Sequence, residues 1–164
     1  MTPNTKSKYG KIISIEEIFN HSTRPVGSMN GLNGSRLGSA QMFNAIYGSD
    51  TMDGYRVTTD TNKILVLISN GQSCCENWGY FSSESDMSQF VGAELLEVNL
   101  TDVALNKERV EESGYYDDQG GIQLVDFVTT NGVFQLAVYN AHNGYYGHGI
   151  VVAIDNEVIH EDTL

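Results

Sequence analysis

Residues 122–139 constrain the fold of this chain most. The runs 122–129 (Ile-Gln-Leu-Val-Asp-Phe-Val-Thr) and 133–139 (Val-Phe-Gln-Leu-Ala-Val-Tyr) flank Thr130-Asn131-Gly132. Asn-Gly accepts the positive φ values of a tight turn, so two β-prone runs around it read as an antiparallel hairpin. The same texture recurs on either side. Residues 55–59 and 63–69 flank a turn at 60–62, and Ile64-Leu65-Val66-Leu67-Ile68 is apolar on both faces, as a central strand is. Residues 149–154 and 158–160 flank Asp155-Asn156, and 93–100 alternates well enough for a further strand.

Helical signals are fewer. Residues 84–90 read as a short helix stopped at Gly92, residues 101–112 as a helix starting at Thr101 or Asp102, and residues 40–47 as a short helix capped by Ser39 and ended by Gly48. Residues 11–19 fit either a strand or a short helix, because Ile12, Ile15, Ile18 and Phe19 also obey helical spacing. Residues 20–39, rich in Gly, Ser and Asn, read as a long loop. The expectation is an α+β fold: a mainly antiparallel β-sheet built from hairpins, with one to three short helices. Residues 1–54 read as a polar, Gly/Ser/Asn-rich extension with a possible short helix, and residues 55–164 as a β-rich acidic domain. A chain of 164 residues can bury on the order of 70% of its unfolded surface, enough to fold without metal or disulfide.

Charge is distributed unevenly. Residues 1–63 hold seven Lys or Arg against five carboxylates, whereas from Ile64 onward only Lys107 and Arg109 oppose sixteen carboxylates. Such a surface repels phosphate backbones, which excludes direct DNA or RNA binding as an expectation. It attracts a basic surface, including one whose normal ligand is nucleic acid. No stretch reaches the roughly 18 apolar residues of a membrane span, and the polar start carries no apolar signal core, so a cytoplasmic location is expected.

Cys74 and Cys75 are adjacent. Neighbouring residues of a strand point to opposite faces, so the pair does not read as a disulfide framework and agrees with a reducing compartment. With Glu76 and one of His142, His148 or His160, the thiolates have the chemistry of zinc ligands. The C-x-x-C spacing of zinc modules is absent, and a Cys in this setting is more often a small buried residue. No cofactor is therefore expected, zinc being the alternative. In Asn140-Ala-His-Asn-Gly-Tyr-Tyr-Gly-His148, Asn143-Gly144 reads as a tight turn that sends Tyr145 and Tyr146 to opposite faces. No nucleophile or orienting carboxylate can be assigned to its histidines.

The order strand, Gln72-x-Cys74-Cys75-Glu76, short helix ending in Asp-Met-Ser-Gln-Phe-Val-Gly (86–92), strand, acidic loop, the 129–132 hairpin and Asn143-Gly144-Tyr145-Tyr146 resembles a small, functionally uncharacterised domain family common in bacteriophages and prophages. The likeness spans about residues 55–154 and leaves the N-terminal third outside. That family often has His two places before the Gln and Asp just after it, where this chain has Asn70 and Ser73, which leaves fewer potential ligands for a metal. The resemblance implies a phage or mobile-element context and a compact β-rich domain, and no reaction.

Together these readings lead to the expectation of a non-enzymatic phage or mobile-element protein. It would bind and inhibit a host nucleic-acid-handling or defence protein, in the manner of an anti-CRISPR, through an acidic surface in the bacterial cytoplasm. Expected contacts are Glu111, Glu112, Asp117 and Asp118, with Trp78, Tyr115 and Tyr116 as exposed aromatic anchors. The alternatives are a metal-binding domain or metal-dependent enzyme centred on Cys74, Cys75, Glu76 and His142 or His148, and a phage structural or housekeeping role.

Overall fold

A computed structural model describes residues 7–22, 51–71, 77–115, 121–141 and 147–164. Nine strands, β1 (Ile12–Ser22), β2 (Thr51–Thr59), β3 (Lys63–Ser69), β4 (Trp78–Ser82), β5 (Leu95–Thr101), β6 (Gly121–Thr129), β7 (Gly132–Asn140), β8 (Gly149–Ile154) and β9 (Glu157–Thr163), are joined by one α-helix, α1 (Lys107–Ser113), and a 3-10 turn at Ser88–Phe90. They form two antiparallel sheets, ordered β1-β2-β3-β8-β9 and β4-β7-β6-β5. Strand accounts for 63% of the described residues and helix for 9%. The mainly antiparallel β architecture is as expected; with a single α-helix among the described residues, the α+β class is roughly consistent and mainly β fits better.

Alternation along the strands builds one core between the sheets. Val57, Ile64, Val66, Ile150 and Val152 of the first sheet meet Val125, Phe127, Phe134, Leu136 and Val138 of the second. Because β3 is apolar on both faces, Leu67 joins Met52, Val151 and Ala153 in a second, smaller cluster on the opposite side of the first sheet.

Residues 11–19 resolve as strand, and the register explains their helical look. Shifts between Ile12 and Ser14, and again between Ile18 and His21, insert residues into the β1–β2 ladder. Ile12 and Ile15 therefore both turn to the core although they are three apart. The expected helix at 84–90 contracts to the 3-10 turn Ser88–Phe90, where Asp86 Oδ1 accepts the Ser88 N–H at 2.9 Å. The expected helix at 101–112 begins later, at Lys107, because Thr101 still pairs with Leu124 in β5–β6 and Asn106 caps α1 by accepting from the Glu108 and Arg109 amides. The 129–132 hairpin forms as expected, with the positive φ on Gly132. The expected boundary between residues 54 and 55 falls inside β2, and β1 pairs with that strand. The expected helix at 40–47 and most of the 20–39 loop lie outside the described residues.

The two ends of the molecule differ in their connections. One end carries tight turns: Asn62 Nδ2 donates to Asp155 Oδ2 at 2.8 Å, and the Thr130 N–H donates to the Glu94 carbonyl at 3.1 Å. At the other end Ser22 pairs with Thr51, and Gly121 with Asn140. The connections 23–50, 72–76, 116–120 and 142–146 all leave from there. Both Gln72-x-Cys74-Cys75-Glu76 and Asn143-Gly144-Tyr145-Tyr146 thus fall in connections between the two sheets.

Candidate functional site

The described residues that flank the expected site segments lie at the end that carries the long connections. Gln72, Ser73, Cys74, Cys75, Glu76, Tyr116, Asp117, Asp118, His142, Asn143, Gly144, Tyr145 and Tyr146 lie outside the described residues, but their flanking residues bring the segments together. Ala141 N–H donates to the Asn77 carbonyl at 2.6 Å, which ties the start of the 142–146 connection to the end of the 72–76 connection. Asn77 Nδ2 donates to the Gly114 carbonyl at 3.1 Å, which draws the end of α1 to the same place.

His148 is an anchor of this end. It is 1% exposed, and its ring stacks on Trp78 with centroids 5.3 Å apart and 26° between planes. Nδ1 lies 2.8 Å from the Ser69 carbonyl. A carbonyl only accepts, so Nδ1 carries the proton and has no lone pair for a metal. Asn70, standing where the resembling family often has His, donates from Nδ2 to Asp53 Oδ1 at 2.9 Å and accepts from Thr51 Oγ1 at 2.7 Å. It braces the β2–β3 end. Among the described residues no three His, Cys, Asp or Glu side chains come together in a metal-binding group, and His160 lies on β9, paired with Val152.

Two expected anchors are less exposed than expected. Trp78 is half-buried and packs against the main core, because alternation along β4 turns it inward. Tyr115 is half-buried, packed edge-on against Tyr139 with ring centroids 6.3 Å apart. The Tyr139 hydroxyl donates to the Ser113 carbonyl at 2.9 Å, and burial raises its pKa.

The acidic surface is more extended than the expected cluster. Glu111 and Glu112 are exposed on α1, and Glu94, Glu97, Asp102 and Glu108 are exposed along the path from β5 to α1. The cations on this path are Lys107 and Arg109. Arg109 is partly spent, with Nη1 3.3 Å from Glu112 and Nε donating to the Ser82 carbonyl at 2.9 Å. Interleaved with the carboxylates are exposed apolar side chains, among them Leu96 and Leu100 of β5 and, beyond it, Val103 at 69% and Leu105 at 49% exposure. Sequence reasoning missed these four. For Leu96 and Leu100 the signal was the imperfect alternation of β5, which a register shift between Leu95 and Glu97 produces.

Nothing in this arrangement assembles a nucleophile, a base and an orienting group among the described residues. It presents instead a run of exposed apolar and acidic side chains along the chain from an edge strand to a helix, with Glu97 and Leu100 on opposite faces of β5. A family model, Domain of unknown function (DUF7448), matches residues 9–152. The match begins before β1, so it takes in the segment expected to be a separate extension. No curated protein and no solved structure matches the chain.

Proposed function

The chain belongs to the DUF7448 family, domains of unknown function, and from that premise we propose that it is a non-enzymatic binding protein of phage or mobile-element origin. It docks on the basic surface of a nucleic-acid-handling or defence protein in the bacterial cytoplasm and blocks that surface. The observation that carries this reading is the run from β5 to α1, where exposed Leu96, Leu100, Val103 and Leu105 alternate along the chain with Glu97, Asp102 and Glu108. Apolar anchors supply the affinity of an interface, and the surrounding carboxylates supply steering and specificity toward a cationic partner. Glu111 and Glu112, with Asp117 and Asp118 following in the chain, extend the charge toward the end that carries the Cys-Cys-Glu and Asn-Gly-Tyr-Tyr segments.

The test is recovery of the tagged protein from a bacterial lysate at about 50 and 500 mM salt, which changes the Debye length roughly threefold, with bound proteins identified by mass spectrometry. The expected result is a stoichiometric nucleic-acid-binding protein that is held at low salt, lost at high salt and released by added DNA or RNA. Recovery of no such protein at either salt overturns the proposal.

A further inference from the structure

The two sheets part along one side, at the edge of β1 that no strand among the described residues pairs with. Near its start β1 is closed against the chain following the 3-10 turn: Ile12 N–H donates to the Ala93 carbonyl at 2.8 Å, and Gly92 N–H donates to the Ile12 carbonyl at 2.8 Å. Beyond Ile12 the described ladder of β1 lies on its β2 side alone. Between this edge and the segment that leaves β4 is a cleft of about 420 Å³. Its walls are Ile13 and Glu17 of β1, Tyr55 behind them, and Ser85, Met87 and Val91 opposite.

Three features define what fits there. The edge is extended, and an unpaired strand edge is a template for one more strand. The rim is apolar where a soluble protein would rather be polar, with Ile13 56% and Val91 46% exposed, and Phe19 62% exposed further along β1. The charge is negative: Glu17 is the one charged side chain of the described lining. Its neighbour Glu16 holds Arg56 at 2.6 Å in the next register row, so that guanidinium is engaged elsewhere. Burial first, and then the Glu17 carboxylate, push the Tyr80 hydroxyl up to about 12.

We propose that this cleft is a docking site for an extended peptide segment of a partner protein that adds a strand to β1, sets apolar side chains on Ile13 and Val91, and places a Lys or Arg against Glu17. The volume lies in the range of small ligand sites, roughly 300–1,000 Å³. Residues 13–17 of β1 offer about 13–16 Å of edge, room for four or five peptide residues. The site uses no residue of the β5–α1 run and stands apart from the function proposed for it.

A library of random decapeptides displayed on filamentous phage, selected on the full chain, supplies the probe. Enriched sequences are then synthesised and titrated by fluorescence anisotropy. The expected peptides alternate apolar residues around a Lys or Arg and shift the amide resonances of residues 13–17. They bind Glu17→Lys at least tenfold more weakly and Glu17→Gln with an intermediate loss, at unchanged circular dichroism, while Glu111→Lys/Glu112→Lys binds them like the wild type. The proposal is overturned by failure to enrich any peptide, by enriched peptides without a cation, by equal affinity for Glu17→Lys, or by resonance shifts confined to other strands. Loss of peptide binding in the α1 variant would place the peptide on the acidic β5–α1 run and also overturn it.

Discussion

At Gly54 a Cβ would lie 2.0 Å from the Val66 carbonyl oxygen across the β2–β3 ladder, at a φ of +153°. Neither backbone can yield without breaking the pairing of Gly54 with Leu67. Gly54→Ala is expected to cost at least about 2 kcal/mol, read as a lower urea midpoint at unchanged slope; a wild-type midpoint would refute the clash. Asp155 holds the opposite end. Its carboxylate accepts the Lys63 N–H at 2.9 Å and Asn62 Nδ2 at 2.8 Å, and these bonds, the backbone one foremost, lower its pKa. A carboxylate whose folded pKa is depressed stabilises the fold fully above its unfolded value, about 3.9, and loses that contribution as pH falls through the folded value. The Tm gap between the wild type and Asp155→Asn is therefore expected to be constant from about pH 7 to 5 and to close below about pH 4. A gap that widens on acidification would contradict this. At this scale Glu111 and Glu112 were legible in the sequence as acids of a solvated acidic loop, and the structure places them on α1. Trp78 and His148 were not, because which face of a strand turns inward depends on the register of its partner.

At the scale of elements, α1 is exposed along its length and buries none of its residues fully. Reversing its charges should separate binding from folding. Glu111→Lys/Glu112→Lys loses the exposed Arg109–Glu112 pair, which is worth at most about 1 kcal/mol. Equilibrium unfolding is expected to move by less than that, while capture of the basic partner weakens. A large loss of stability would make α1 a structural strut. The elements also explain how far the sequence could be read. The β6–β7 and β2–β3 hairpins were legible because β-prone runs flank short turns. β1 was ambiguous because bulges reset its parity, between Ile12 and Ser14 and between Ile18 and His21, whereas β5 was legible as a strand despite its shift between Leu95 and Glu97. The start of α1 was misplaced because Thr101 offers as good a cap by composition as Asn106, and only its pairing with Leu124 keeps it in β5.

For the whole molecule, the core joins sheets that are distant in sequence. Phe134 lies against Phe127, 4.8 Å away and nearly parallel, and against Phe90 at 4.8 Å. Phe134→Ala is expected to cost about 3–5 kcal/mol, a large part of the stability of a typical domain, and to lower the urea midpoint sharply. A loss under about 1 kcal/mol would contradict the shared core. Pairing across sheets is what sequence pattern could not supply: hairpins follow from neighbours, but the partition into two sheets follows from β3 meeting β8 and β4 meeting β7. That partition brings α1 beside the end from which the 72–76 and 142–146 connections leave, and it leaves Glu94, Glu97, Asp102, Glu108, Glu111 and Glu112 exposed as an acidic surface. The account turns on that surface. Its most direct test is the association rate of the captured partner across a salt series, for the wild type and for Glu111→Lys/Glu112→Lys/Asp117→Lys/Asp118→Lys. The account predicts a steep fall of the wild-type rate with salt, a rate at least tenfold slower at low salt for the variant, and a nearly flat salt dependence for it. Equal rates and equal slopes for the two proteins would contradict it.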